Sequence, residues 1–247
     1  LDFTLCTEEE ITMDGFITEE SDTEDLTVKA AKLLKVSCNV KGGVNIRLKK
    51  NIPVGGGLGG GSSDAATVLV ALNALWNLNL SDKELSRLGL QLGADVPVFV
   101  TGRATWAEGV GELLYGQDKD QKSVAVLFPG VSVSTTKVFQ SPELTRDSVP
   151  IKMDIEYLSG YRNDCEAVTR RLYPEIADAL DWLSIYGKAQ MSGTGSSIFA
   201  EFDRPCDAEE VIKRIPTKWS GVACRTLNRS PLLERLRSFH KGREGEQ

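Results

Sequence analysis

A glycine-rich segment at residues 53–63, with the sequence PVGGGLGGGSS, constrains the fold of this chain more than any other feature. Six of the seven residues at positions 55–61 are glycine, and residues 64–76 that follow are rich in Ala and Leu with helical spacing. Residues 44–48 before the segment have a strand pattern, so the predicted order is strand, glycine loop, helix. Ser62 and Ser63 lie at the predicted helix start, where hydroxyls, free N–H groups and the helix dipole favour an anion such as a nucleotide phosphate.

Three other interpretations of the glycines are weaker. Gly55, Gly57 and Gly60 satisfy GxGxxG, but that pattern is almost unavoidable in so glycine-rich a segment. A dinucleotide fold also needs an acidic residue at a strand end about 20 positions later, whereas residues 77–84 are predicted to form a turn and a helix start. A Walker loop is excluded because no lysine follows the glycines before Lys83. A flexible linker is disfavoured because the glycines continue directly into a helix that the serines are expected to cap.

Composition limits the classes of function. The 247 residues, 41% of them hydrophobic, can bury the core of one large or two small domains, and no apolar run reaches the roughly 18 residues of a membrane span. A net charge of −6 argues against nucleic acid or a membrane surface as partner. The five scattered cysteines are interpreted as reduced thiols in a cytoplasm. His240, the one histidine, lies in a charged C-terminal segment, so acid-base chemistry is expected to use a carboxylate.

The remaining pattern predicts mixed α and β structure. Ser81 and Glu84 match a capping box, and Gly93 is expected to end the helix that they begin. The glycines at residues 109–111 indicate a hairpin turn, with a second glycine-rich ligand site as the alternative. From residue 123 the order strand, helices, hairpin, helix, strand indicates a ferredoxin-like α+β lobe. Strands are predicted at residues 2–6, 44–48, 104–107, 124–128 and 221–227, a hairpin at 189–202, and helices at 26–34, 64–76, 82–92, 164–172, 174–186 and 208–215.

The motif PVGGGLGGGSSDAA resembles the central motif of the GHMP kinases, PxxxGLGSSAA. The resemblance covers nearly the whole chain and is closest to the branch that phosphorylates 4-diphosphocytidyl-2-C-methyl-D-erythritol. It is carried further by LGADVPVF at residues 92–99, AEGVGE at 107–112, PGVSVSTTKVF at 129–139, ND at 163–164 and SGTGSSIFAEF at 192–202.

The resemblance implies an α+β, two-lobed fold. Residues 1–120 would form an N-terminal lobe of the ribosomal protein S5 domain 2 type, residues 121–238 a ferredoxin-like C-terminal lobe, and residues 239–247 a disordered tail. The implied reaction is transfer of the ATP γ-phosphate, with Mg²⁺, to the 2-hydroxyl of the diphosphocytidyl substrate in the non-mevalonate route to isoprenoid precursors. The implied partner is thus a small molecule.

The resemblance also assigns roles to individual residues. Asp95, an acid among apolar neighbours, would be the catalytic base, although the residues alone favour a turn or cap aspartate. Asp25 occupies the place of an asparagine in close relatives, and a carboxylate cannot donate as an amide does. Thr135, Phe139, Gly193 and Thr194 would bind substrate, with core packing the alternative for Phe139 and a plain hairpin turn for the glycine motif. The expected ATP-binding residues are Asp25, Lys50, Pro53, Val54, Gly55, Gly56, Gly57, Leu58, Gly59, Gly60, Gly61, Ser62 and Ser63.

Two features typical of the family do not occur in these 247 residues. The family opens with a strand of the type PAKxNLxL and a following DGYH, which supply a lysine and an aromatic-His platform. The chain is therefore expected to be an N-terminally truncated fragment that folds incompletely or turns over poorly. Two alternatives remain: a GHMP kinase for homoserine, mevalonate or a sugar, and a catalytically incomplete nucleotide-binding fragment.

Overall fold

Both strands and helices occur throughout the chain in the computed structural model, which describes residues 1–15, 25–148 and 162–244. The chain divides into one unit of Leu1–Asn51, Gly59–Lys119 and Leu227–Gln247 and a second unit of Ile52–Leu58 and Asp120–Thr226. This division differs in two places from the expected lobes, 1–120 and 121–238. The first half of the glycine loop belongs with the second unit, and the residues from Leu227 onward return to the first.

The first unit contains a three-stranded sheet covered by helices. Strand β3 is central, antiparallel to β1 and parallel to β2. Leu34, Ile46, Leu69 and Leu72 are fully buried in its core. Its elements are β1 (Asp2–Cys6), β2 (Ile11–Gly15), α1 (Leu26–Ser37), β3 (Gly43–Leu48), α2 (Gly60–Leu75), α3 (Asp82–Leu90), α4 (Val96–Thr101), β4 (Thr105–Glu108), β5 (Leu113–Gly116) and α9 (Pro231–Glu244).

Local signals explain most of these boundaries. The capping box at α3 is present, with the Ser81 and Glu84 side chains each bonded to the other residue's backbone. α3 ends at Leu90, slightly before Gly93. The apolar residues 98–100 lie in the short helix α4, which has a proline in its first turn and ends at Gly102 in the left-handed conformation. The glycine turn at residues 109–111 joins β4 to β5, which confirms a hairpin. Strand β2 was not predicted.

The second unit is a four-stranded antiparallel sheet in the order β7-β8-β6-β9. The first and last strands of the unit are neighbours and the hairpin strand β8 lies on the other side of β6, which confirms the ferredoxin-like order. Leu127, Ile176, Leu180 and Ile198 are buried in its core. The elements are β6 (Ser123–Phe128), α5 (Thr135–Gln140), α6 (Glu166–Leu172), α7 (Pro174–Ser184), β7 (Gln190–Met191), β8 (Ile198–Phe202), α8 (Pro205–Lys213) and β9 (Ser220–Arg225).

The C-terminal segment is more ordered than its composition indicated. Helix α9 continues to Glu244, so the expectation of a disordered tail is wrong for residues 239–244, while residues 245–247 lie outside the described residues. Leu232 and Leu236 pack against the core of the first unit, and this anchorage explains why the helix forms. Among the described helices, none is both long enough and apolar enough to cross a membrane.

Candidate active site

The second half of the glycine loop forms the start of helix α2. The N-cap is Gly59, with φ of 68°, and α2 begins at Gly60, so Ser62 and Ser63 lie inside the first turn and the expected serine cap is wrong. The first bond within the helix runs from the Ser63 N–H to the Gly59 carbonyl, at 2.8 Å. The N–H groups before Ser63 have no partner inside the helix and can bind an anion, with the helix dipole favouring the negative charge.

The first half of the loop is held by close backbone packing. At Gly57, with φ of 72°, a Cβ would lie 2.4 Å from the Ser192 carbonyl oxygen and 2.5 Å from that of Gly195. A Cβ on Gly56 would lie 2.9 Å from Ser197 Oγ. Because backbone carbonyls occupy the place of its Cβ, Gly57 is required by the fold itself and not only by a ligand, whereas the atom nearest a Cβ on Gly56 is a side-chain hydroxyl.

Hydrogen bonds join this half of the loop to the turn at residues 192–197. The Ser192 hydroxyl donates to the Gly57 carbonyl at 2.7 Å, and the Ser197 N–H donates to the Gly56 carbonyl at 2.9 Å. Gly193 and Thr194, two predicted substrate-binding residues, lie in this turn. The structure therefore brings the third family motif against the phosphate loop, which a plain hairpin turn would not require.

Lys50 and Asp64 form an ion pair whose members lie on either side of the loop in sequence. Lys50 Nζ donates to Asp64 Oδ2 at 2.5 Å and lies 3.8 Å from Asp25 Oδ2, and the lysine side chain is only 13% exposed. Asp25 also caps helix α1, accepting from the Thr27 N–H at 2.7 Å. Because Lys50 is shared between two carboxylates, it is less available to balance the charge of a phosphate than the sequence indicated.

Asp95 is the N-cap residue of α4, but its side chain makes no capping hydrogen bond. It is exposed, so the burial expected from its apolar neighbours is not found. The segment before it is close to the first turn of α2, because a Cβ on Gly93 would lie 3.7 Å from Ser62 Oγ. Gly111 of the hairpin turn packs directly on the Ala94 carbonyl. These contacts place the backbone segment that leads into the exposed Asp95 beside the helix start that can bind an anion.

Thr135 and Phe139 lie on one face of helix α5, four residues apart. Phe139 is 52% exposed, so the core-packing alternative is wrong for this residue. The Thr135 and Thr194 hydroxyls share a hydrogen bond at 3.2 Å, which links this face to the turn at residues 192–197. An exposed ring beside hydroxyls is suited to stacking on a base and bonding its edge.

The sequence of this chain matches two families of known proteins. Residues 25–103 match the family of GHMP kinases N terminal domains, and residues 150–221 match the family of GHMP kinases C terminal domains. Together the two matches cover more than half of the chain. The chain belongs to the GHMP kinase family.

Within this kinase family the relatives point to one branch. The chain is 50% identical over 212 residues to the 4-diphosphocytidyl-2-C-methyl-D-erythritol kinase of Halorhodospira halophila, covering 85% of this chain and 74% of that protein. It is 33% identical to a crystal structure of 4-(cytidine 5'-diphospho)-2C-methyl-D-erythritol kinase, with a TM-score of 0.76 over 90% of this chain and 84% of that one. A homoserine kinase from Cytophaga hutchinsonii shares the fold alone, at 14% identity and a TM-score of 0.62 over 92% and 85% of the two chains.

Several residues of this GHMP kinase site were not among the predicted site residues. Asp64 pairs with Lys50, and the ring of Phe99 lies 2.8 Å from where a Cβ on Gly59 would be. Asn163 donates to the Gly193 carbonyl of the turn, and Ser192 donates to the Gly57 carbonyl of the loop. Asn163 and Ser192 both fall in segments that carried the family resemblance. Asp64 and Phe99 also lie in such segments, PVGGGLGGGSSDAA and LGADVPVF, but their contacts with Lys50 and Gly59 depend on tertiary packing and could not be read from the motifs.

Proposed function

We propose that this chain transfers the γ-phosphate of ATP to the 2-hydroxyl of 4-diphosphocytidyl-2-C-methyl-D-erythritol, the kinase step of the non-mevalonate route to isoprenoid precursors. The observation that carries the proposal is the packing of the segment that leads into the exposed Asp95 against the first turn of α2, where the N–H groups that follow the glycine loop have no partner inside the helix. Phosphoryl transfer needs this combination of an anion cradle and a group that orients and deprotonates the attacking hydroxyl.

The phosphates of ATP would be bound by residues 53–63. Backbone N–H groups at the start of α2 and the hydroxyls of Ser62 and Ser63 would contact the phosphate oxygens. Lys50 and Asp25 lie together at the base of the loop, where we assign them to the adenosine side of the nucleotide.

The charge balance at the loop favours participation of Mg²⁺. Lys50 is already paired with Asp25 and Asp64, so the phosphates need another cation. The described residues contain no cluster of three or more His, Cys, Asp or Glu side chains that could hold a metal by itself. Mg²⁺ typically binds through one or two protein oxygens plus phosphates and water, and Ser62 Oγ is an oxygen donor of the right type. When bound, the metal would neutralise charge that develops on the transferred phosphoryl group.

Asp95 would act as the general base. Its carboxylate makes no capping hydrogen bond and is exposed, so it can accept the proton of the substrate hydroxyl. The cytidine end of the substrate would bind Thr135 and Phe139, with the ring of Phe139 stacking on the base, and Gly193 and Thr194 would contact substrate from the adjacent turn. The expected setting is the cytoplasm, in keeping with the free cysteines of the chain.

Steady-state assays with purified chain test the reaction and the role of Asp95 together. ADP formation is measured with the diphosphocytidyl substrate, homoserine and mevalonate as separate acceptors, and we expect turnover with the first alone. Asp95→Asn should lower kcat by a factor of about 10² to 10⁴ while leaving ATP affinity unchanged, because a general base contributes that much. Asp82→Asn, at an exposed position at the start of α3, is the matched control and should retain activity.

Two outcomes would contradict the proposal. Comparable turnover of homoserine or mevalonate would favour another GHMP kinase activity. Binding of ATP without turnover of any acceptor would favour a catalytically incomplete nucleotide-binding fragment.

A further inference from the structure

Asn163 makes three hydrogen bonds with backbone groups, one to Gly193 in the turn at residues 192–197, one to Met191 just before it, and one to Cys165. Its amide nitrogen donates to the Met191 carbonyl at 3.0 Å and to the Gly193 carbonyl at 2.6 Å. Its amide oxygen accepts from the Cys165 N–H at 2.9 Å, just before helix α6 begins. The Asn163 side chain thus links the residue before α6 to Met191 and Gly193, which lie on either side of Ser192, the first residue of the turn.

Thr169, one turn into α6, makes a fourth bond of the same kind. Its hydroxyl donates to the Thr194 carbonyl at 3.1 Å, and the residue is fully buried. The turn itself is closed by the Gly195 N–H, which donates to the Ser192 carbonyl at 2.8 Å. The carbonyls of Met191, Gly193 and Thr194 are therefore all fixed by side chains of residues 163–169.

The same turn supports the phosphate loop. Ser192 Oγ and the Ser197 N–H donate to the carbonyls of Gly57 and Gly56, and the turn backbone occupies the space where a Cβ of Gly57 would lie. With these two carbonyls held, the peptide groups that follow Gly56 and Gly57 are fixed in orientation, and so are the N–H groups of Gly57 and Leu58. Small displacements of such groups are costly, since an error of about 1 Å in positioning can lower a rate by about 10²-fold.

We propose that Asn163 is a positioning residue that presets the phosphate loop for nucleotide by fixing the 192–197 turn, an inference that rests on the proposed function. An amide is required because the position needs two donated bonds and one accepted bond. A carboxylate would place negative charge against the Met191 and Gly193 carbonyls and could not donate to either. Asn163 itself need not touch the nucleotide or the substrate.

The test compares Asn163→Asp with a matched control, Asn73→Asp. Asn73 also bonds a backbone through both ends of its amide, with Leu80 N–H and carbonyl at 2.9 and 3.0 Å, but at the far end of α2 from the loop. Hydrogen exchange of residues 55–63 without ligand and calorimetric titration with the ATP analogue AMP-PNP and Mg²⁺ are measured for both. We expect Asn163→Asp alone to speed loop exchange and to weaken analogue binding by about tenfold or more.

A second pair of variants covers the case in which Asn163→Asp does not fold. Thr169→Val removes the hydroxyl that holds the Thr194 carbonyl at nearly constant volume, and Thr169→Ser keeps it. We expect the valine variant to show faster loop exchange and weaker analogue binding, and the serine variant to resemble the parent chain. Unchanged loop exchange and binding in Asn163→Asp or Thr169→Val, or an equal effect of Asn73→Asp, would overturn the proposal.

These readouts separate the inference from the proposed function. Loop exchange is measured without ligand, and neither measurement depends on the phosphate acceptor. A parent chain that binds the analogue but does not phosphorylate the diphosphocytidyl substrate would contradict the proposed function alone.

Discussion

The six glycines of the phosphate loop have different reasons for being glycine. Gly57 combines positive φ with carbonyl oxygens 2.4 and 2.5 Å from where its Cβ would be, so both its conformation and its surroundings exclude a side chain. Gly61 lies inside the first turn of α2, and a Cβ there would meet only Leu26 Cδ1, at an ordinary 3.5 Å. The sequence motif has glycine at both positions, but packing requires glycine only at position 57.

Alanine substitutions should distinguish these two glycines. Gly57→Ala is expected to lower the free energy of unfolding by more than about 2 kcal/mol, because left-handed φ and displaced backbone both add cost. Gly61→Ala should leave that free energy unchanged or raise it by up to about 1 kcal/mol, because alanine favours helix. Urea denaturation followed by circular dichroism measures both. A destabilised Gly61→Ala variant would show that the first turn of α2 is more crowded than the contacts indicate.

At the scale of elements, the site depends on short helices whose ends are well defined. α3 begins with the Ser81–Glu84 capping box and packs against α4, the helix that follows Asp95, where Gly89 lets Val96 approach closely. Hydrogen bonds from the Ser81 hydroxyl and backbone N–H lower the pKa of Glu84. The ionised carboxylate is therefore favoured in the folded state.

This shift predicts how the cap responds to acid. Because the folded-state pKa lies below the ordinary value of 4.5, the contribution of Glu84 is complete above pH 4.5 and is lost as the pH falls through the folded-state pKa. Glu84→Gln should therefore lower Tm at pH 7, and its difference from the parent chain should shrink in acid. Thermal melts across this pH range test the prediction, with Glu8→Gln, in the exposed turn after β1, as control. A Tm difference that is constant with pH would contradict it.

At the scale of the whole molecule, the chain returns at its C-terminus to the unit in which it began. The Asn228 carbonyl accepts from the Ala104 N–H at 3.0 Å, and its side chain bonds the backbone of Lys119. Further along, Leu233 covers Gly102, and Leu232 and Leu236 join the first core. The first unit is consequently discontinuous in sequence, and its stability should depend on residues near the end of the chain.

Two changes in helix α9 test this dependence. Replacing Leu232 and Leu236 together by Ala should lower the free energy of unfolding by about 2 to 4 kcal/mol, somewhat less than for fully buried leucines because both are only partly buried. Ending the chain after Ser238 retains both leucines and should cost less than about 1 kcal/mol. Chemical denaturation of the two variants beside the parent chain gives both values. The reverse order of effects would show that residues 239–244 carry the anchorage.

Much of the fold could be predicted because its signals are local. The capping box, the strand before the glycine loop, the hairpin at residues 109–111 and the ferredoxin-like order all follow from spacing and turn residues. Strand β2 and helices α4 and α5 were missed because each is short, and short segments carry little periodic signal. Helix α9 was missed because its sequence is strongly charged. The expected serine cap was wrong because glycine in the left-handed conformation also ends a loop and begins a helix.

By itself, the sequence determined that a glycine loop leads into helix α2 and that the chain resembles the GHMP kinases, because those features lie within a few consecutive residues. Only the tertiary structure decided which glycines are required by packing, that Lys50 is shared by Asp25 and Asp64, and that Asn163 holds the turn behind the loop. The hydrogen bond between Ser192 and Gly57 joins residues 135 positions apart. No local pattern encodes such a contact, since it forms only when separate elements pack together.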